Sequence, residues 1–252
     1  RMISRSSMYT DFKIMTASAF FTENLVSERF LFFYFGAILI IALFNLMIFF
    51  SSHSKAYLYY FLYVVSMLMY QIAVEGYGNV FIWEQWDWFK PRSYNIAIAL
   101  SFLFAVMFTR TYLDLGKNVP RLNNIGRILE LTYSATGIAL LFSVESLIIS
   151  WGNICIFAGV IYIFYAGFFV LLKRFEPAKY FVIAWSILLA GVVVTTFRRL
   201  FILPDSLLSE YALHIAHICE AVLLAFALRD RSRVLQKRVL EAEEELTEAH
   251  AR

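Results

Sequence analysis

The stretch FLFFYFGAILIIALFNLMIFF, residues 30–50, decides the fold class of this chain. Asn45 is its one strongly polar side chain. A transmembrane helix needs about 20 mostly apolar residues to cross about 30 Å of hydrocarbon. The stretch therefore predicts a helix that spans a membrane.

The composition of all 252 residues extends this prediction to the whole chain. Residues of the AVILMFWYC set make up 61% and charged residues 16%, against about 45–50% and about 25% in soluble domains. A water-facing surface cannot be built from so much apolar material, whereas a lipid-facing surface can. We therefore predict an all-α integral membrane protein. The net charge of +3 is too small to indicate nucleic-acid binding.

Seven stretches are long and apolar enough to cross the bilayer, which predicts a seven-transmembrane helix bundle. The fourth is the weakest, because Arg127 and Glu130 lie in its first turns; without it the chain would cross six times. The predicted spans are residues 30–50, 57–74, 93–112, 125–143, 147–172, 178–201 and 207–228.

Lysine and arginine residues are distributed unequally over the loops of such a bundle. Of the 22 in the chain, fourteen lie in or beside one set of alternating loops and the C-terminal tail, and four lie in the opposite loops. Cytoplasmic loops carry the excess of Lys and Arg. We therefore expect the N-terminus outside and the C-terminus in the cytoplasm.

The two ends of the chain differ from the helices between them. Residues 1–29 mix polar and apolar side chains, and we expect an extracytoplasmic segment there, the end of an outer sensor domain. The helical domain takes up residues 30–228, and residues 229–252 are highly charged. Since the chain begins with Arg1 and stops inside a charged helical pattern, we expect it to be a piece of a longer polypeptide.

A seven-residue repeat runs through the C-terminal segment. Small or apolar residues recur from Leu228, and a companion series starts four residues later at Ser232. Two such series with charged flanks predict a parallel, dimeric coiled coil; a solvated single helix is the alternative. The predicted dimer seam contains Leu235, Val239, Ala242 and Leu246.

The seventh predicted helix carries the densest set of ionisable residues inside the membrane: His214, His217 and Glu220. Three interpretations stay open: a metal site, a ligand- or proton-responsive polar cluster, and a structural network between helices. The third is favoured, because the spacing matches no recognised zinc pattern. Arg198 is a candidate partner at the level of His214, and Asn45 is expected to form interhelical hydrogen bonds.

Several functions are excluded or unsupported. No Lys lies in the interior of any predicted span, so the chain has no amine for a retinal Schiff base and the opsin class is excluded. No catalytic motif can be assembled within the membrane, so we expect neither enzyme activity nor a cofactor in this chain. Cys155 and Cys219 lie inside apolar runs, which does not support a disulfide framework.

The loop EGYGNVFIWEQWDWFKPR, residues 75–92, is the most distinctive outer feature. Trp83, Trp86 and Trp88 form an aromatic group within it. Indole rings prefer the headgroup level of a bilayer, so an interfacial belt is the plain interpretation. A lid over an outer pocket, or a docking surface for an outer domain, is the functional one.

Two stretches resemble the bacterial seven-transmembrane receptors with diverse intracellular signalling modules. Residues 33–83 resemble the family's first two helices, and YALHIAHICEAVLLAFALRDR, residues 211–231, resembles its seventh. Phe44 stands where the family often has Tyr, and the two histidines are particular to this chain. The matching positions are Gly36, Asn45, Tyr57, Leu58, Tyr59, Tyr60, Gly76, Trp83, Glu220, Leu228, Arg229 and Arg231.

The resemblance implies a receptor core in the bacterial inner membrane. Such receptors usually carry an outer domain and a cytoplasmic output module, and Glu220 and Asn45 would hold the bundle together. We therefore expect the chain to pass a signal inward as a homodimer through its C-terminal helix. A scaffold subunit of a larger membrane complex is the alternative. A transporter is less favoured, because no internal repeat is visible and all four Pro lie in or near loops.

Overall fold

The computed structural model describes residues 17–173, 177–204 and 206–250, with side chains except those of 17–24, 26–27 and 234–250. Every regular element in these ranges is helical, and a short π-helix, Gly78–Ile82, follows α2. The α-helices are α1 (Ala17–Ser52), α2 (Lys55–Val74), α3 (Lys90–Tyr112), α4 (Leu115–Asn118), α5 (Pro120–Phe142), α6 (Ser146–Leu172), α7 (Pro177–Arg199) and α8 (Leu207–His250).

Seven of these helices, all except α4, contain a stretch long and apolar enough to cross a membrane. The predicted number of spans is therefore confirmed for the described residues. The weakest predicted span is included: α5 is 23 residues long, and its most apolar window has a mean hydropathy of 1.3. The protein is accordingly a multi-pass membrane protein.

Proline residues mark where helices begin. Pro120 and Pro177 are the first residues of α5 and α7, Pro91 is the second residue of α3, and Pro204 lies three residues before α8. Proline suits the first turn of a helix, because its missing N–H would have no partner there. The spans themselves are therefore free of proline interruptions.

The long helices pack side by side in chain order and close into a ring. Each packs against the next, and α8 returns to pack against α1. Helix α3 also contacts α6 across the bundle, and α8 contacts α2. The last span therefore lies between the first two and α7.

Each helix has a buried side and a lipid-facing side. On α1, Tyr34 and Ile38 are fully buried, whereas Phe33 and Ile40 are each 69% exposed. Large apolar side chains on the outside of a soluble protein would be a liability, but facing hydrocarbon they cost nothing. The exposed faces therefore fit a lipid environment.

Both predicted domain boundaries fall inside helices. The boundary at residues 29 and 30 lies within α1, and the one at 228 and 229 lies within α8. Helix α8 has 44 residues, or about 66 Å at 1.5 Å per residue. The last span and the charged C-terminal segment thus form one uninterrupted helix.

The first positions of the predicted heptad repeat contact their own bundle. Leu228 is 1% exposed, and the hydroxyl of the partly buried Ser232 hydrogen-bonds to Tyr57 at 3.1 Å. Pairing of two chains along the repeat stays a prediction. The side chains of the seam positions Leu235, Val239, Ala242 and Leu246 lie outside the described residues.

Candidate polar site inside the bundle

Three ionisable residues of α8 face the interior of the bundle. His214, His217 and Glu220 are 5%, 0% and 0% exposed. Close packing of α7 on α8 helps to seal this region: a Cβ atom on Gly191 would lie 2.4 Å from the Cβ of Ala216. The three residues predicted to form a polar set therefore do share one buried face.

His217 is held by a tyrosine from α1. The Tyr34 hydroxyl lies 2.6 Å from His217 Nδ1, and both side chains are fully buried. The Tyr34 ring also meets the His214 ring edge-on, with centroids 4.7 Å apart. Tyr34 thus links the two histidines.

His214 is paired with Glu75, at the end of α2. Their Nε2 and Oε1 atoms are 3.3 Å apart, and the Glu75 side chain is 29% exposed. The expectation had been that Arg198 would be the partner at this level. The structure instead brings Glu75 to His214, because the end of α2 lies beside the beginning of α8, and it places Arg198 in the last turn of α7.

Glu220 has no hydrogen-bond partner in the described part of the protein. Neither carboxyl oxygen is bonded, and the nearest ring nitrogen, His217 Nε2, is 4.0 Å away. The neighbouring Tyr63 hydroxyl is buried and interacts with the Glu220 carboxyl, but it does not form a hydrogen bond of normal geometry with any described residue. Gln71 Nε2 and Trp185 Nε1 are buried without partners as well.

We call this group of side chains the polar cluster. Its members come from α1, from α2, from the residue that follows α2, and from α8. They are Tyr34, Tyr63, Gln71, Glu75, His214, His217 and Glu220.

A structural network between helices was the favoured interpretation of the polar set, and it stays a prediction: His217 and His214 have partners outside α8, whereas other groups of the cluster do not. Buried polar groups in proteins are almost always hydrogen-bonded, yet several cluster atoms have no partner in the described residues. No three His, Cys, Asp or Glu side chains of the described residues are arranged so that they could hold a metal ion. A responsive polar cluster stays open beside the structural network.

Asn45 differs from its prediction. Its side chain is fully buried, but Nδ2 donates to the Ile41 carbonyl of the same helix at 2.8 Å. The expected interhelical hydrogen bond is not formed, and Oδ1 has no partner among the described residues. An amide one helical turn from a carbonyl reaches it without crossing to a neighbour.

Helix α8 is anchored where it leaves the bundle. Arg231 donates to the Thr111 carbonyl at 2.9 Å and lies over the Tyr112 ring at 5.7 Å. Ser232 bonds to Tyr57, as described above. We call these five residues the exit clamp, which ties α8 to α2 and α3.

A separate buried ion pair explains how α5 spans the membrane. Arg110 of α3 donates to Glu130 and, at 2.9 Å, to Asn123. The two charged side chains are only 16% and 17% exposed. Glu130, the residue that made the fourth span look weak in the sequence, is thus neutralised by a neighbouring helix.

The three tryptophans of the loop after α2 have different environments. Trp83 is 4% exposed and donates from Nε1 to Asn79, whereas Trp86 and Trp88 are 65% and 54% exposed. All three rings contact Phe89. Trp83 therefore anchors the loop. Of the three tryptophans, only Trp86 and Trp88 have indole rings exposed on the surface of the protein, as in an interfacial belt.

Ion pairing in this loop is local. Lys90 Nζ lies 2.7 Å from Asp87 Oδ1, and this hydrogen bond lowers the pKa of the Asp87 carboxyl. Asp87 is fully open to solvent, so the pair contributes little to stability.

Replacing Tyr34 by phenylalanine is expected to destabilise the bundle by about 1 kcal/mol. The change leaves the ring in place and removes one buried hydrogen bond. Thermal unfolding of the purified chain in detergent measures it. Tyr165→Phe is the control, because Tyr165 is 56% exposed and should change stability by less than about 0.5 kcal/mol. Equal effects of the two variants would show that the Tyr34–His217 bond does not stabilise the fold.

Sequence reasoning missed the tyrosines, Gln71 and Glu75. The rule that flags ionisable residues in a span selects His214, His217 and Glu220, but the chain has 15 Tyr residues and no pattern distinguishes Tyr34 or Tyr63 from the others. Glu75 was placed in the outer loop. Its proximity to α8 depends on how the helices pack, which spacing along one helix does not reveal.

Comparison with known proteins agrees with the resemblance noted in the sequence. A family model described as 7TM diverse intracellular signalling matches residues 27–231. No curated protein and no solved structure matches the chain. The match covers all seven candidate spans except the last two residues of the seventh, and it includes the polar cluster.

Proposed function

Since the chain belongs to the family of seven-transmembrane receptors for diverse intracellular signalling, we propose that it is the membrane core of a bacterial receptor. In this proposal the protein lies in the inner membrane with its N-terminus outside. It passes an extracytoplasmic signal to a cytoplasmic output module through a dimer of C-terminal helices. Catalysis belongs to the output module and lies outside these residues.

One observation carries the proposal: α8 is a single helix that begins beside the polar cluster and continues past the exit clamp. The cluster residues of α8 lie within its first 14 residues, and the helix runs unbroken to His250. A rigid helix can transmit a displacement from one of its ends to the other. A receptor core needs such a connection between its two sides.

Signalling further requires two arrangements of the bundle that a stimulus favours unequally. In the polar cluster, a second arrangement of the helices would differ little in free energy from the first. Its unpartnered buried groups, including Glu220 and Tyr63, can gain hydrogen bonds when α8 shifts. The exit clamp then converts the shift into a changed position of the helix below the bundle.

The unbroken spans argue against transport as the function. Transporter sites are usually built from discontinuous helices at the midplane of the membrane. All seven spans of the described residues are continuous α-helices, and proline lies only at helix starts or before them.

Cysteine cross-linking in native membranes tests the dimeric helix. In a chain from which Cys155 and Cys219 have been removed, single cysteines are placed at the four seam positions Leu235, Val239, Ala242 and Leu246. We expect efficient dimer formation there, because seam side chains meet across a parallel coiled coil. Lys237 and Glu244, on other faces of the same helix, are the matched controls.

Uniformly low cross-linking at seam and control positions would contradict the dimeric transmission helix. A scaffold subunit would then be the better proposal. Equal and high cross-linking at all six positions would indicate random collision and would contradict the proposed seam.

A further inference from the structure

The surroundings of Glu220 are unusual for a buried carboxyl group. The side chain is fully buried, and both of its oxygens lack hydrogen bonds in the described structure. No Lys or Arg of the described residues forms an ion pair with it; the nearest histidine nitrogen, His217 Nε2, is 4.0 Å away, and the Tyr63 hydroxyl is a further ionisable neighbour. Glu130 differs, because one of its carboxyl oxygens accepts a hydrogen bond from the Arg110 guanidinium and its charge is paired.

A charge at this position would be costly. Burying an ionised carboxylate without a cation or hydrogen-bond donors is strongly unfavourable, and such groups take up a proton instead. A proton needs no ligand-sized cavity. It is therefore the ligand that a closely packed carboxyl group can accept without rearranging its neighbours.

A chain of polar groups connects Glu220 to the end of the bundle at which α8 begins. Glu75 is partly exposed there and contacts His214 at 3.3 Å. Tyr34 contacts the ring of His214 and hydrogen-bonds to Nδ1 of His217. Three-residue steps along α8 rise about 4.5 Å each, so Glu220 lies about 9 Å beyond His214.

The orientation of His217 suits proton transfer to Glu220. When the Tyr34 hydroxyl donates to Nδ1, the neutral imidazole carries its proton on Nε2, the atom nearest to Glu220. A proton that enters from water past Glu75 and His214 first converts His217 to an imidazolium cation. Transfer to Glu220 then breaks the Nε2–H bond, forms an O–H bond on the carboxylate and leaves His217 neutral.

We propose that the polar cluster is a proton-binding site open to the side at which α8 begins, with Glu220 as the final acceptor and His214 and His217 as its relay. The ionisable groups that face this site come from α1, from α2 and the residue that follows it, and from α8. Helix α7 contributes Trp185, which carries no charge. These groups are Tyr34, Tyr60, Tyr63, Tyr70, Glu75, His214 and His217.

The consequence for signalling rests on the proposed receptor function, but the binding of the proton does not. Protonation replaces a buried charge by an O–H donor, which the neighbouring Tyr63 oxygen can accept. The interactions between α8 and α2 then differ between the two protonation states. Such a difference is what a stimulus needs in order to shift a two-state bundle.

Infrared difference spectroscopy of the whole chain in lipid nanodiscs tests the proposal. Spectra are compared from about pH 5 to about pH 9.5, between the ordinary pKa values of Glu and Tyr. We expect the C=O stretching band of a buried carboxylic acid to appear as the pH falls. The band should be lost in Glu220→Gln and kept in Glu210→Gln, a matched change in the first turn of the same helix.

Two results would overturn the proposal: a wild-type spectrum without a pH-dependent band of this kind, or a band that persists in Glu220→Gln. If the Glu220→Gln variant does not insert into the membrane, the wild-type spectrum alone tests the proposed proton-binding site. His217→Gln provides a second variant, and we expect it to shift the pH midpoint of the band. An absent band together with efficient cross-linking of α8 would refute the proton site and leave the receptor proposal standing.

Discussion

Replacing Arg110 by methionine is expected to lower the free energy of unfolding by about 3–5 kcal/mol, the usual cost of leaving one member of a buried ion pair without its partner. Glu130, with a side chain only 17% exposed, would be left without a cation beside it. Asn123 would lose its hydrogen bond from the guanidinium as well. Reversible unfolding of the purified chain in mixed micelles measures the change.

Two further variants make the result for Arg110 interpretable. Arg110→Met combined with Glu130→Gln removes both charges and should recover most of the lost stability. Lys117→Met breaks an exposed pair, Lys117 with Asp114, in which the side chains are 85% and 41% exposed, and should change stability by at most about 1 kcal/mol. If Arg110→Met resembled Lys117→Met, the pair would not hold α3 and α5 together.

Replacing Gly191 by alanine is expected to push α7 and α8 apart and to destabilise the protein by about 1–3 kcal/mol. The added Cβ would lie 2.4 Å from the Ala216 Cβ and 2.9 Å from the backbone oxygen of Ala212. Neither atom belongs to a flexible side chain, so the helices themselves must move. Thermal unfolding in detergent measures the loss.

Gly137→Ala is the matched control for Gly191→Ala. Gly137 is also in the middle of a span, but a Cβ atom there meets nothing within 4 Å. Because alanine favours helix more than glycine does, this variant should be neutral or slightly stabilising. Equal behaviour of the two variants would mean that α7 and α8 are not packed as closely as the structure shows.

The course of the chain through the membrane is predictable from sequence because it depends on local composition. Apolar stretches of sufficient length predicted all seven spans, including the one interrupted by Arg127 and Glu130. The starts and ends of the outermost helices were not predictable in this way. Within the described residues, α1 includes Ala17 and α8 includes His250, because a helix can extend through polar residues once it has left the apolar layer.

The polar cluster was predictable only on the helix that carries most of its charges. Ionisable residues inside a span stand out in any sequence, so His214, His217 and Glu220 were found. Their partners were not, because contacts such as His214 with Glu75 and His217 with Tyr34 join distant parts of the chain. Arg198 was chosen for its level in the membrane, but level alone does not identify a neighbour.

The contacts of Leu228 and Ser232 with their own bundle set a steric condition on pairing. A position seven residues farther along a straight α-helix is rotated by only about 20°. Leu235 and Val239 therefore continue the face with which Leu228 and Ser232 contact their own bundle. A second straight helix lying on that face below the membrane would, if extended upward, run into the first bundle.

The predicted dimer seam thus lies on the same side of α8 as the residues that contact its own bundle. One straight helix cannot use this side for both contacts when the two bundles lie side by side. Pairing requires α8 to bend between Ser232 and Leu235, or to release its last turns from the exit clamp. Over this short stretch, α8 can therefore either pair with a second helix or stay in contact with its own bundle, but it cannot do both. In the proposed receptor dimer, a small change in these contacts would decide how the two output modules face each other.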